Sequence, residues 1–238
     1  KGGRLSAPFH PYLCGRNAAE WLINMNIGIL FDLDGTLLNT LEDLQDATNY
    51  ALRTLGYPER SLEEVRSFVG NGAERLMVKA VPEGIDHHQA LKLFQSYYPN
   101  HCQIKTAPYP GIPEALTALE KKYPLAIVSN KPDAAVKPLC AHYFPGIYAR
   151  GESTDCPRKP APEMVKKALA AIGADTCIYV GDSEVDVLTA KNAEVPCLSV
   201  TWGFRKQEEI LGGTHFCHRV EDMVPILNTL AEELRRGQ

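Results

Sequence analysis

Asp32 and Asp34 stand two residues apart at the end of the short apolar run Ile27 to Phe31, and Gly35 and Thr36 follow them. In an extended backbone the side chains of residues i and i+2 leave on the same side, so the two carboxylates are neighbours. Close carboxylates repel; a divalent cation relieves that repulsion and lets one oxygen remain an anionic nucleophile. Gly35 allows the chain to turn close to an anion, and the Thr36 hydroxyl adds a donor. Taken alone, Asp32-Leu33-Asp34-Gly35 also describes a capped turn with two solvated acids, or part of a calcium loop. The calcium reading weakens because Leu37 and Leu38 stand where further oxygen ligands are required.

The elements that must position these acids are legible around them. Ile27 to Phe31 fits a buried parallel strand, and the same form recurs at Leu125 to Val128 before Ser129-Asn130 and at Cys177 to Val180 before Gly181-Asp182. A further strand, Cys197 to Val200, leads into Thr201-Trp202-Gly203. Helical patterns at Pro113 to Lys122, Asp133 to Tyr143, Pro162 to Ile172 and Glu184 to Asn192 alternate with these strands. The alternation predicts an α/β core, a doubly wound parallel Rossmann-like sheet whose ligands sit beyond the carboxyl ends of the strands. Three polar clusters therefore converge on one crevice. From Thr40 to about Ala107 the strand pattern gives way to helical spacing, with Gly56 as a helix end and Ser61 with Glu64 as a capping box. The spacing predicts a core of residues 25–39 and 108–238 with an all-helical insert, 40–107, whose exit is the turn-rich Ala107-Pro108-Tyr109-Pro110-Gly111.

At this point the residues resemble a known family. Asp32-Leu33-Asp34-Gly35-Thr36-Leu37 is similar to the first motif of the haloacid dehalogenase superfamily. The family's later motifs have counterparts in order: Ser129 in Val128-Ser129-Asn130-Lys131, Lys159 in Arg158-Lys159-Pro160-Ala161-Pro162, and Asp182 with Asp186 in Gly181-Asp182-Ser183-Glu184-Val185-Asp186. The resemblance implies a phosphatase that forms an aspartyl-phosphate on Asp32, with Asp34 as the acid and later the base. It implies Mg²⁺ held by the Asp32 and Asp182 carboxylates and the Asp34 main-chain carbonyl. Asp186 would hold a metal-bound water or orient Lys159, or simply favour a helix start. Thr36, Ser129, Asn130 and Lys159 would neutralise the phosphoryl oxygens. The insert resembles the small helical cap of that superfamily. Within it, Val69-Gly70-Asn71-Gly72-Ala73-Glu74-Arg75-Leu76 looks like the cap loop of phosphoglycolate phosphatases, which makes 2-phosphoglycolate the expected substrate. Other small sugar or nucleotide phosphates are the alternatives.

Around this set, Gly70, Asn71 and Gly72 could close over the substrate as a lid or form an ordinary turn. Arg75 could grip a substrate carboxylate bidentately or be a solvated helix residue. Lys131 reads as a solvated residue opening the loop after the strand, and Arg158 as a source of positive potential at the mouth or a surface charge. His215, Cys217 and His218 read as strand and loop rather than a metal clip. Asp34 argues against a dehalogenase or a phosphonatase, although Lys79 and Lys92 are present in the insert. A phosphosugar mutase would keep both acids, and a non-catalytic binding module would not need them.

The balance of 25 Lys and Arg against 29 Asp and Glu, a formal charge of −4, gives no field that would gather nucleic acid or anionic membrane, so the expected partner is a small phosphate ester. Seven scattered cysteines without a C-x-x-C spacing read as reduced thiols of a cytoplasmic protein. No apolar run is long enough to span a membrane. Residues 1–24 lack a continuous apolar stretch for export and are expected to carry no chemistry.

Overall fold

The computed structural model describes residues 24–237; the expectation for residues 1–24 falls almost wholly outside them. The strands are β1 (Ile27–Phe31), β2 (Leu38–Asn39), β3 (Ala107–Pro108), β4 (Leu125–Pro132), β5 (Tyr148–Glu152), β6 (Thr176–Gly181), β7 (Cys197–Val200) and β8 (His215–Cys217). The α-helices are α1 (Leu41–Thr54), α2 (Leu62–Phe68), α3 (Gly72–Ala80), α4 (His88–Tyr97), α5 (Ile112–Glu120), α6 (Asp133–Tyr143), α7 (Glu163–Ile172), α8 (Glu184–Asn192) and α9 (Val220–Arg235).

Six strands form one sheet in the order β5-β4-β1-β6-β7-β8, and every neighbouring pair is parallel. The fold is thus the doubly wound α/β arrangement that the alternation of elements predicts. β1 is buried along its whole length, and its alternate residues feed two cores. Ile27, Ile29 and Phe31 join a cluster with α5, α6 and α9; Leu30 joins a second with α7 and α8. Phe31 lies opposite Ile127 on one side and Val180 on the other. Asp32, Ser129 and Asp182 therefore emerge together at the carboxyl edge, where the strand order reverses.

Between β2 and β3 the chain is helical. These two short strands pair antiparallel, Leu38 with Pro108 and Asn39 with Ala107, so the outgoing and returning chain run side by side. The return is fixed by buried Asp43 of α1, whose carboxylate accepts from the amides of Ile104, Lys105 and Thr106 at 2.9–3.1 Å. The capping box at α2 is formed: the Ser61 hydroxyl accepts from the Glu64 amide and the Glu64 carboxylate from the Ser61 amide. Apolar residues of α1, α3 and α4 join the same buried cluster as Ile29 and Phe31.

The structure departs from the sequence pattern in three elements. β4 runs past Val128 to Pro132, with a shift of pairing register in between, so Lys131 lies in a strand and not in a loop. β5, Tyr148-Ala149-Arg150-Gly151-Glu152, is an edge strand whose polar residues hide its alternation of half-buried and buried positions. α9 carries Pro225 within an amphipathic helix. His215 and Cys217 belong to β8, and His218 contacts Thr201. Cys102, Cys140, Cys156, Cys177, Cys197 and Cys217 are buried free thiols, while Cys14 lies outside the described residues. No helix among the described residues is long and apolar enough to cross a membrane.

Candidate active site

The carboxyl edge of the sheet opens into a cavity of about 280 Å³, whose walls include Asp32, Asp34, Ser129, Lys131, Lys159 and Asp182. Lys159, buried before α7, donates from Nζ to Asp32 Oδ1 at 2.7 Å, Asp186 Oδ1 at 2.8 Å and the Tyr179 hydroxyl at 3.1 Å. Its loop is pinned by Asn130, whose Oδ1 accepts from the Lys159 amide at 2.7 Å and whose Nδ2 donates to the Lys159 carbonyl at 3.0 Å. Asp186 serves two structures at once. Its Oδ2 caps α8 by accepting from the Ser183 amide and hydroxyl, and its Oδ1 holds Lys159. It is fully buried, so it is no surface acid.

Asp182 is fixed from the opposite side. Its Oδ2 accepts from the Phe204 amide at 2.6 Å, and its Oδ1 lies 3.5 Å from the Thr36 hydroxyl. Gly35, at φ +89°, and Gly203 pack against this carboxylate so tightly that a Cβ on either would overlap it.

Burial pushes Asp32 up to about 7; the Lys159 charge pulls it down and the Asp186 charge pushes it up. Asp182 is held well above the usual carboxylate range by burial and by the charges of Asp186 and Asp32. Lys159 loses some basicity to burial, but Asp186 and Asp32 more than restore it. The oxygens of Asp32, Asp182 and Asp186 lie within 4.8 Å of one another. Three buried carboxylates against a single ammonium leave negative charge that a low-dielectric site tolerates poorly. An oxygen-only donor set with that excess suits a hard divalent cation such as Mg²⁺.

The other predicted residues fall in different places. Ser129 lines the cavity, with its Oγ accepting from the Lys131 amide at 3.2 Å. Thr36 does not reach the cavity: it is fully buried beneath it, its hydroxyl directed to Asp182 and its carbonyl accepting from Trp202 Nε1. Gly70 and Gly72 line the cavity, and the carbonyls of Gly70 and Asn71 accept from Asn130 Nδ2 and Arg158 Nη1. Arg75 lies on the exposed face of α3, outside the cavity wall, because α3 turns Leu76 and Met77 inward.

Lys131 corrects the reading of a solvated lysine. Carried inward by the extension of β4, it is buried, donates to both oxygens of Asp34 at 2.9 and 2.8 Å, and sits 4.7 Å from the Tyr98 ring centroid. Two more residues escape sequence reasoning. Arg205 donates to the carbonyls of Arg66 and Val69 at 3.0 and 2.6 Å and pairs with Glu184 at 3.4 Å. Tyr98, beyond the end of α4, lines the cavity although its apolar spacing marks it only as core.

A "Phosphoglycolate phosphatase" of Pseudomonas putida is 37% identical over 190 residues, 74% of this chain and 70% of that protein. A "Phosphoglycolate phosphatase 1" of Pseudomonas aeruginosa is 33% identical over 220 residues, covering 86% and 80%. A crystal structure of a predicted phosphoglycolate phosphatase from Haemophilus somnus, 27% identical, superposes with a TM-score of 0.76 over 84% of this chain and 97% of that one. A solved structure from Lactobacillus delbrueckii, 34% identical, gives 0.80 over 85% and 98%. The family model described as haloacid dehalogenase-like hydrolase matches residues 29–200, the stretch that holds every clustered acid and Lys159, and the chain belongs to that family.

Proposed function

We propose that this protein is a Mg²⁺-dependent phosphatase that hydrolyses 2-phosphoglycolate through an aspartyl-phosphate on Asp32. The observation that carries the reading is the position of Asp32, tied by Lys159 to Asp186 and set beside Asp182 at the floor of a small cavity. The names of the Pseudomonas relatives supply the substrate.

In this reading an oxygen of Asp32 attacks phosphorus and displaces the ester oxygen, which takes a proton from Asp34; Asp34 then draws a proton from the water that cleaves the aspartyl-phosphate. Lys159 and the Ser129 hydroxyl place fixed positive charge and a donor against the phosphoryl oxygens. Asn130 acts on Lys159 by holding its main chain. Mg²⁺ would be held by the Asp32 and Asp182 carboxylates and the Asp34 carbonyl, and supplies charge that offsets the clustered anions. The helical segment, 40–107, forms a cap over the site, with Gly70 and Gly72 bringing its main chain near the substrate. A cavity of about 280 Å³ suits a ligand of this size.

The test is phosphate release from a panel of small esters that includes 2-phosphoglycolate, with Mg²⁺ and with chelator, for the wild type and Asp32→Asn. Turnover that is strongest for 2-phosphoglycolate, needs Mg²⁺ and drops roughly a thousandfold or more in Asp32→Asn is expected. Turnover confined to other esters would remove the substrate, and turnover undiminished in Asp32→Asn would remove the nucleophile.

A further inference from the structure

The proposed substrate carries two anionic ends, and the residues assigned above serve only the phosphoryl end. Three cationic side chains line the cavity among the described residues: Lys131, Lys159 and Arg205. Lys159 is committed to Asp32 and Asp186, and Arg205 to two main-chain carbonyls and Glu184. Lys131 holds both oxygens of Asp34 and reaches the Tyr98 hydroxyl beside them. With Thr40 Oγ1 also donating to Asp34 Oδ1 at 2.8 Å, both oxygens of the carboxyl that must meet the ester oxygen already hold a donor in this arrangement.

A second observation lies beside the first. Tyr98 lines the cavity with its ring against Lys131, whose ammonium donates toward its oxygen, yet among the described residues the buried hydroxyl has no acceptor for its own proton. A buried hydroxyl proton without an acceptor is costly and calls for one. An ammonium held by one carboxylate and a phenol lacking an acceptor together describe a receptor for an incoming carboxylate.

We infer that Lys131 and Tyr98 form a carboxylate-reading subsite, in which the substrate carboxylate takes Lys131 from Asp34 and so frees Asp34 to turn toward the ester oxygen. The inference rests on the phosphatase reading above and adds the residues that select the substrate. Its covalent geometry is favourable. In 2-phosphoglycolate a single methylene separates the ester oxygen from the carboxylate, so when Asp34 reaches the first, the second must lie close to Asp34 and therefore close to Lys131. The exchange keeps Lys131 paired throughout, and Tyr98 gains the acceptor that it lacks. An ester without a carboxylate cannot make the exchange, so selection acts on turnover as well as on binding.

The experiment compares kcat and KM for 2-phosphoglycolate and for 2-hydroxyethyl phosphate, which replaces the carboxylate by an alcohol, in the wild type and in Lys131→Met. The wild type is expected to favour 2-phosphoglycolate. In Lys131→Met the ratio of the two kcat/KM values should fall about 10- to 100-fold, with part of the loss in kcat. A merely structural role would lower both esters alike and leave the ratio unchanged, which overturns the inference. Should Lys131→Met fail to fold, Tyr98→Phe takes its place, since it removes only the hydroxyl; an unchanged ratio there overturns the inference in the same way. Equal turnover of both esters by the wild type also overturns it and leaves the phosphatase reading standing. Turnover of neither by the wild type instead removes the phosphatase reading on which it rests.

Discussion

The main-chain amide of Phe204 reaches across from the loop after β7 to donate a 2.6 Å hydrogen bond to Asp182 Oδ2, at the end of the neighbouring strand. Gly203 and Gly35 close against the same carboxylate, so its position is set by backbone from two different loops. An acid held this way keeps its aim whether or not a cation is bound, which is the preorganisation that a metal ligand needs.

Gly203→Ala places a methyl where Asp182 stands, and is expected to weaken Mg²⁺ about tenfold or more, read as the Mg²⁺ concentration for half-maximal activity. Gly56→Ala is the control: Gly56 has positive φ, but a Cβ there meets nothing, so the change should cost about 1 kcal/mol of stability and leave the Mg²⁺ requirement unchanged.

The cation's effect on stability should depend on pH. Asp32 ionises near 7 in the folded, metal-free protein and near 4 when unfolded, so between those values the folded state holds the extra proton. Stability of the metal-free protein therefore falls as pH rises through that window. Mg²⁺ binds the ionised carboxylates and reverses the loss. Thermal melts with saturating Mg²⁺ and with chelator should differ more at about pH 8 than at about pH 5; a difference that shrinks with pH would contradict the burial of this cluster.

Arg205 ties the last turn of α2 and the loop that follows it to the core through the carbonyls of Arg66 and Val69. Arg205→Met leaves both carbonyls without that donor, and is expected to raise KM several-fold and to speed proteolytic cleavage between residues 62 and 80, while the melting of the sheet core changes little.

Asp43→Ala strips the acceptor from three main-chain amides at residues 104–106. A cost of about 3 kcal/mol is expected from denaturant titration. Asp46→Ala, whose half-exposed carboxylate pairs with Lys105, should cost under about 1 kcal/mol.

Sequence reasoning reached the site where local pattern and topology coincide. Asp32, Ser129 and Asp182 each end a buried strand, and a parallel sheet brings such ends together without further information. Lys159 and Asp186 followed from their order in the family motifs. Lys131 did not, because a lysine after Ser-Asn looks like the start of a loop, and only the register shift in β4 carries it inward. Arg75 stayed open between two readings for the complementary reason: helical spacing places it on a face but does not say which face meets the cavity. Tyr98 and Arg205 act across the boundary between the helical segment and the sheet, a contact between distant stretches of chain that periodicity cannot encode.

The paired β2 and β3 bear on how the chain reaches this fold. β1 and β4 are neighbours in the sheet, yet the whole helical segment lies between them in sequence. Contacts of such separation slow folding, since loop closure must precede any gain from pairing. Once Leu38 and Asn39 zip against Pro108 and Ala107, that intervening length is already gathered, and β1 and β4 are linked through a much shorter effective tether. The two-residue ribbon thereby shortens the conformational search for the central strand pair, and mutations that unzip it should slow refolding more than they accelerate unfolding.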